Sequence, residues 1–234
     1  MNDVATLILS PGLLLTRKLY ASLEDHLAGR YPVHHTDTTG LDTITAMAER
    51  VIDETDGPII PIGLSMGGYI TLEIARLAPE RLSALIIMDS NATADTEAKR
   101  EERQKLIAMS NIGRFKGVTS VLMPKFIAEQ HLNDARITDA VTEMAAEIGR
   151  DNFILQQKAI MTRREQFSTL SGLSMPGLFL VGSLDLLTPP DQVRAMADAM
   201  AGSTYVEIEG SGHLPPLEAP AAVNLEVEKF LSGL

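Results

Sequence analysis

Short, continuously apolar runs alternate along this chain with longer amphipathic segments, and that alternation narrows the fold more than any other feature. The runs are Val4–Leu9, Tyr31–His35, Pro58–Ile62, Leu82–Met88, Pro176–Val181 and Thr204–Ile208. Most lack strict apolar–polar alternation, which is the pattern of a parallel strand covered on both faces. Helical periodicity falls between them, near Arg17–Ala28, Leu41–Asp56, Met66–Ala78, Asp191–Met200 and Ala221–Leu231. The expectation is an α/β fold, a doubly wound, mostly parallel sheet of about six strands with helices on both faces. At 234 residues the chain is long enough for one such core and a modest insertion.

The rhythm fails between about Asn91 and Ser171, where only helical patterns follow one another: Asp95–Ser110, Gly117–Gln130, Asp134–Ile148 and Phe153–Met161. The expected organisation is a core built from residues 1–90 and 172–234 and a helical cap from residues 91–171. A segment inserted between parallel strands lies over the strand ends, where open α/β sheets bind ligands. Helices packed on a sheet edge with no part in binding are the plainer alternative.

Charge and composition remove several classes of partner. With 20 Lys and Arg against 31 Asp and Glu the formal charge is −11, poorly suited to gripping phosphate backbones or anionic lipid. Neither a nucleic acid nor a membrane is therefore an expected partner, and the oligomeric state is left open. The absence of cysteine excludes disulfides, thiolate chemistry and Cys-ligated metal. The apolar stretch Val4–Leu15 has no Lys or Arg before it, Asp3 beside it and Pro11-Gly12 inside it, which argues against a secretory leader. No other apolar run approaches the roughly 18 residues a bilayer span needs. The expected location is cytoplasmic.

The segment Pro61-Ile62-Gly63-Leu64-Ser65-Met66-Gly67-Gly68-Tyr69 carries the strongest chemical signal. Its Gly-x-Ser-x-Gly pattern lies where a buried strand ends and a helix begins. A serine nucleophile exposed on so sharp a turn holds a strained backbone, and side chains two residues either side would collide. Gly63 and Gly67 remove them, while Gly68 lets the helix pack closely. Ser65 also opens that helix, where free N–H groups favour developing negative charge.

Serine needs a base to take its proton. Of five histidines, His213 is the best placed, in a Gly- and Pro-rich loop between the last strand and the last helix. His26, His34, His35 and His131 read more simply as surface or packing residues, with His131 a possible ligand contact. An acid must orient the imidazole. Asp185, directly after the Pro176–Val181 run, fits that role, and Asp89, after the Leu82–Met88 run, is its competitor.

These residues carry a resemblance. The segments Gly63–Gly68, Gly182–Pro190 and Gly210–Glu218, together with the Leu7–Leu15 turn, resemble the α/β-hydrolase superfamily of esterase-like enzymes. Ser65, Asp185 and His213 follow its nucleophile–acid–base order. The resemblance implies an oxyanion hole made by the backbone N–H of Met66 and a donor in the turn after the first strand. That donor is assigned to Leu13, with Leu14 as fallback, because Pro11 stands where the family usually has histidine.

The resulting expectation is a cofactor-free serine hydrolase that cleaves a small carboxylic ester, lactone or thioester through an acyl-enzyme. The chain is also similar to enol-lactonases, to carbon–carbon bond hydrolases and to a menaquinone-pathway lyase, all sharing the triad. The serine at the elbow separates it from dehalogenases and epoxide hydrolases, which place aspartate there. A ligand receptor that keeps the triad but signals by moving its cap is the alternative of another class. Arg150, Arg163 and Arg164 are candidates for holding a substrate carboxylate, although solvated helix charge is the plainer view. An apolar pocket is expected from Leu14, Met109, Leu122, Met123 and Phe126. No dinucleotide fingerprint, P-loop, calcium loop or His-Glu-x-x-His pair survives inspection, so neither a metal nor a cofactor is expected.

Overall fold

Among the described residues, six strands form one parallel sheet in the order β2-β1-β3-β4-β5-β6. They are β1 (Thr6–Ser10), β2 (Val33–His35), β3 (Ile59–Leu64), β4 (Leu85–Met88), β5 (Gly177–Gly182) and β6 (Ser203–Ile208). The computed structural model describes residues 4–112 and 115–234; Asp3, invoked above against a secretory leader, lies outside the described residues. β3, β4 and β5 are buried at every position, as their unbroken apolar runs require. All five strand pairs are parallel.

Side-chain alternation along the strands divides the interior into two cores. Leu7, Leu9, Ile62, Leu64, Ile86 and Leu180 face one side, where α1 (Ala21–Leu27) and α9 (Pro220–Leu231) cover them. Ile8, Ile59, Ile87, Phe179 and Val181 face the other, against α2 (Ile44–Glu54), α3 (Met66–Leu77) and α7 (Pro190–Ala199). Burial of apolar surface on both faces supplies the main drive for this layering. The Thr43 hydroxyl caps α2 by accepting from Ala46 N at 3.1 Å.

Between β4 and β5 the chain forms α4 (Glu97–Ser110), α5 (Ala135–Thr162) and α6 (Phe167–Gly172). Gly149, at φ 73° and ψ 175°, breaks α5 near the expected gap between two helices. Gly117–Gln130 does not form the expected helix. It turns, with short 3-10 segments at Met123–Lys125 and Glu129–His131. Gly117 takes φ 59°, and Pro124 brings a ring and no N–H into the middle of the pattern. α6 packs on α3 and α7, so the end of the inserted segment joins the core layer. A short α8 (Pro215–Glu218) precedes α9. Among the described residues no helix is long and apolar enough to cross a membrane.

The strand order reverses at β1, which lies between β2 and β3. A crevice therefore opens at the carboxyl ends of β1 and β3, the place where open α/β sheets bind ligands.

Candidate active site

Ser65 links β3 directly to α3 at φ 56° and ψ −113°, a conformation costly for any residue with a Cβ. Its N–H donates to Met88 O at 3.0 Å, and its carbonyl accepts from Ser90 Oγ at 2.9 Å, so the end of β4 and the turn after it hold the elbow on both sides. Two glycines make the turn feasible. A Cβ at Gly63 would overlap the Gly67 carbonyl, and one at Gly67 would overlap the Ser10 carbonyl of β1. The N–H groups of Met66 and Gly67 open α3 and lack intrahelical acceptors.

The turn after β1 runs beside this elbow, since a Cβ built on Gly12 would sit 3.3 Å from Ser65 Cβ. Leu14, at φ 61°, gives its N–H to Gln156 Oε1 at 3.0 Å, and Gln156 Nε2 donates to Thr38 Oγ1 at 2.9 Å. The Leu14 donor is thereby engaged. Leu13 N–H makes no hydrogen bond among the described residues and stays available.

His213 Nδ1 stands 2.8 Å from Asp185 Oδ2, both side chains almost wholly buried. Asp185 also accepts from Thr188 Oγ1 at 2.6 Å and from the N–H groups of Leu187 at 2.8 Å and Thr188 at 3.2 Å. Burial alone would raise its pKa, but the imidazole charge and these hydrogen bonds outweigh it and hold the carboxyl below its ordinary value. With Nδ1 committed to the carboxylate, Nε2 is the nitrogen left for proton transfer. Ser65 and His213 border one cavity of about 280 Å³. The Ser65 hydroxyl makes no hydrogen bond to His213 here; contacts of this kind commonly close only when substrate is bound.

Asp89 directly follows β4 at φ 45°, fully buried. Its Oδ1 accepts from Gly182 N at 2.8 Å, and its Oδ2 has no partner. Burial, reinforced by the nearby Asp185 charge, raises its pKa well above the ordinary carboxylate value. Asp89, Asp185 and His213 each place one ligand-type atom within 4.8 Å of the others. Their fit to a cation is poor: Asp185 already accepts three protein donors besides the imidazole and His213 Nδ1 is committed to it, which leaves Asp89 Oδ2 as the one uncommitted carboxylate oxygen of the two acids.

Sequence reasoning missed Glu218. Its buried carboxylate accepts from Ala128 N at 2.7 Å, Gly212 N at 3.0 Å and Leu214 N at 3.0 Å, tying the His213 loop to the inserted segment. His213 N completes the tie by donating to Phe126 O at 3.0 Å. A buried acid placed five residues after a candidate base was the only available signal. Three of the other histidines pair with acids away from the cavity, His26 with Glu228 at the surface and the part-buried His34 and His35 with Glu54 and Glu24.

Of the expected pocket residues, Leu14, Leu122 and Phe126 line the cavity, together with Leu13. Two need correction. Met109 is 65% exposed, because α4 lies on the surface with only Ser110 buried. Met123 packs inside the inserted segment with Ile127 and Val141 rather than facing the cavity. Among the three arginines singled out, only Arg163 reaches the cavity; Arg164 borders a small recess beside Glu73, and Arg150 a separate shallow one.

Comparison with known proteins adds to this geometry. The model of the Alpha/beta hydrolase family matches residues 7–226. A thermophilic esterase from Thermogutta terrifontis, solved with malate bound, aligns with a TM-score of 0.88 and 26% identity, covering 98% of this chain and 90% of that one. The enol-lactonase from Burkholderia xenovorans LB400 aligns with a TM-score of 0.86 at 19% identity, covering 98% and 92%. The pimeloyl-acyl-carrier-protein methyl ester esterase of Neisseria meningitidis serogroup B is 23% identical over 229 residues, 93% of this chain and 89% of that protein.

Proposed function

The chain belongs to the alpha/beta hydrolase family, and on that premise we propose that it is a serine hydrolase of small carboxylic esters, lactones or thioesters. The observation that carries this reading is the buried 2.8 Å pair between Asp185 and His213, opening onto the same cavity as the strained Ser65 elbow. The esterases and the enol-lactonase among the relatives fit the same chemistry.

In this mechanism His213 Nε2 takes the Ser65 proton as Oγ attacks the substrate carbonyl. Asp185 fixes the imidazole tautomer and stabilises the cation that forms. The N–H groups of Met66 and Leu13 receive the oxyanion, and the α3 N-terminus adds its dipole. Donors of this type contribute about 3 kcal/mol each, because the charge they meet grows only in the transition state. Collapse expels the alcohol, which takes the proton from His213, and the same imidazole then activates water against the acyl-enzyme. The inserted segment before α6 acts as a cap over the cavity, to which it contributes Leu106, Leu122, Phe126 and Phe153.

Steady-state hydrolysis of 4-nitrophenyl acetate tests the reading. Wild-type protein releases 4-nitrophenol with saturable kinetics, and Ser65→Ala, folded by circular dichroism, loses on the order of 10⁴-fold or more in kcat. Retained turnover in the variant overturns the proposal.

A further inference from the structure

The cavity that holds Ser65 and His213 runs against the charge of the molecule. The chain is strongly acidic at −11, yet among the described residues Lys99, Arg103, Lys125 and Arg163 line this cavity against a single acid, Glu102. Cations gathered on a low-dielectric wall focus the field there and raise the local concentration of anions, whatever the net charge elsewhere.

One arrangement makes the surplus specific. The Asp95 side chain, fully buried, pairs with two arginines: Arg103 Nε at 2.7 Å and Arg163 Nη1 at 2.7 Å. A single carboxylate neutralises only one guanidinium. Arg163 is the structural member, since it is buried, donates from Nε to Thr93 O at 2.9 Å and lies over the Tyr69 ring with its guanidinium carbon 4.4 Å from the centroid. Arg103 is the half-open one. Its Nε and Nη1 are spent on Asp95 and on Gln157 Oε1 at 2.9 Å, while Nη2 makes no hydrogen bond among the described residues. Neither Lys99 nor Lys125 forms an ion pair among the described residues. A part-desolvated guanidinium that shares its one carboxylate with a second arginine and keeps a free donor is costly unless another anion meets it. Packing alone would be served by Arg163 with Asp95.

Resting on the hydrolase reading above, we infer that the substrate is an ester or lactone that carries a free carboxylate, bound at Arg103 with Lys99 and Lys125 beside it. The apolar remainder of the wall, including Leu106 and Phe153, takes the hydrocarbon between that carboxylate and the scissile carbonyl. At about 280 Å³ the cavity lies at the small end of ligand sites and suits a short substrate of this kind.

The test compares charged and neutral esters of matched shape. The acyl-side pair is the 4-nitrophenyl monoester of glutaric acid against 4-nitrophenyl pentanoate; the alcohol-side pair is 4-carboxyphenyl against 4-acetylphenyl butanoate. The expected result is a kcat/KM preference for the charged member of about tenfold or more in at least one pair. That preference shrinks with added salt and falls toward unity in Arg103→Gln, while Arg103→Lys recovers part of it. Lys125→Gln, which leaves Asp95 fully paired, lowers the same ratio and keeps the test open where loss of Arg103 compromises folding. Neutral members preferred or equal in both pairs, or a ratio unmoved by both Gln variants, overturns the inference while leaving the hydrolase reading in place. Failure to turn over any of the four esters overturns the hydrolase reading itself.

Discussion

Asp185 Oδ2 lies 2.8 Å from His213 Nδ1, with the two side chains 0% and 4% exposed. So little water reaches the pair that its electrostatics are set by the protein, through three further donors on the carboxylate. Asp185→Asn replaces a charged acceptor with an amide that permits the wrong imidazole tautomer. The expected loss is on the order of 10³–10⁴ in kcat, with a smaller change in KM, read from steady-state ester hydrolysis.

Asp89→Asn is expected to behave differently. Asp89 makes no hydrogen bond to the imidazole, and an amide keeps an acceptor for Gly182 N, so the change in kcat/KM should be less than about tenfold, under ~1.4 kcal/mol. Its signature is in stability. A carboxyl whose folded pKa is raised binds its proton more tightly when folded, so it costs stability progressively as pH rises above its unfolded value of about 3.9. Asp185, held below its ordinary value, has the opposite sign: its contribution is present above about pH 3.9 and is lost as pH falls through its folded value. Thermal melts from pH 4 to 8 should show Asp89→Asn gaining on the wild type with rising pH. A difference that stays flat over that range would mean that the Asp89 pKa is not raised in the native protein.

Glu218→Gln tests how the His213 loop is held. One acceptor oxygen becomes a donor facing backbone N–H groups, at a cost of about 1–3 kcal/mol. Melting temperature and kcat should fall together, because Ala128, Gly212 and Leu214 lose the acceptor that fixes His213 between them.

Gly182→Ala probes the same loop from below. A Cβ at this position would overlap the Gly212 carbonyl, which is main chain and cannot move without carrying His213 along. Destabilisation of about 1–3 kcal/mol is expected from the overpacking alone. Activity should drop further than the fraction unfolded explains, measurable by comparing active-site titration with circular dichroism.

What could be read from the sequence follows from the range of the interactions involved. β3, β4 and β5 were legible because full burial forces continuous apolar composition, and the elbow because its glycines are demanded by atoms within four residues or on the next strand. The Gly117–Gln130 segment misled because Val118, Leu122, Met123, Phe126 and Ile127 repeat at helical spacing, yet the chain there is held by contacts far away in sequence. Glu218 reaches Ala128 across 90 residues, and Gln156 reaches Leu14 across 142. No local pattern announces such contacts. Arg103 was hidden for the same reason: it sits in a charged cluster on α4 that reads as solvated surface until Asp95 and Gln157 are seen beside it.

The central claim is that Ser65 forms a covalent acyl intermediate, and intact-protein mass spectrometry after rapid acid quench of an activated ester reads it directly. The wild type should gain the mass of one acyl group, mapped by peptide digestion to Ser65, and Asp185→Asn should accumulate or form it far more slowly. Steady turnover with no adduct on Ser65, or an adduct that persists in Ser65→Ala, would contradict the account.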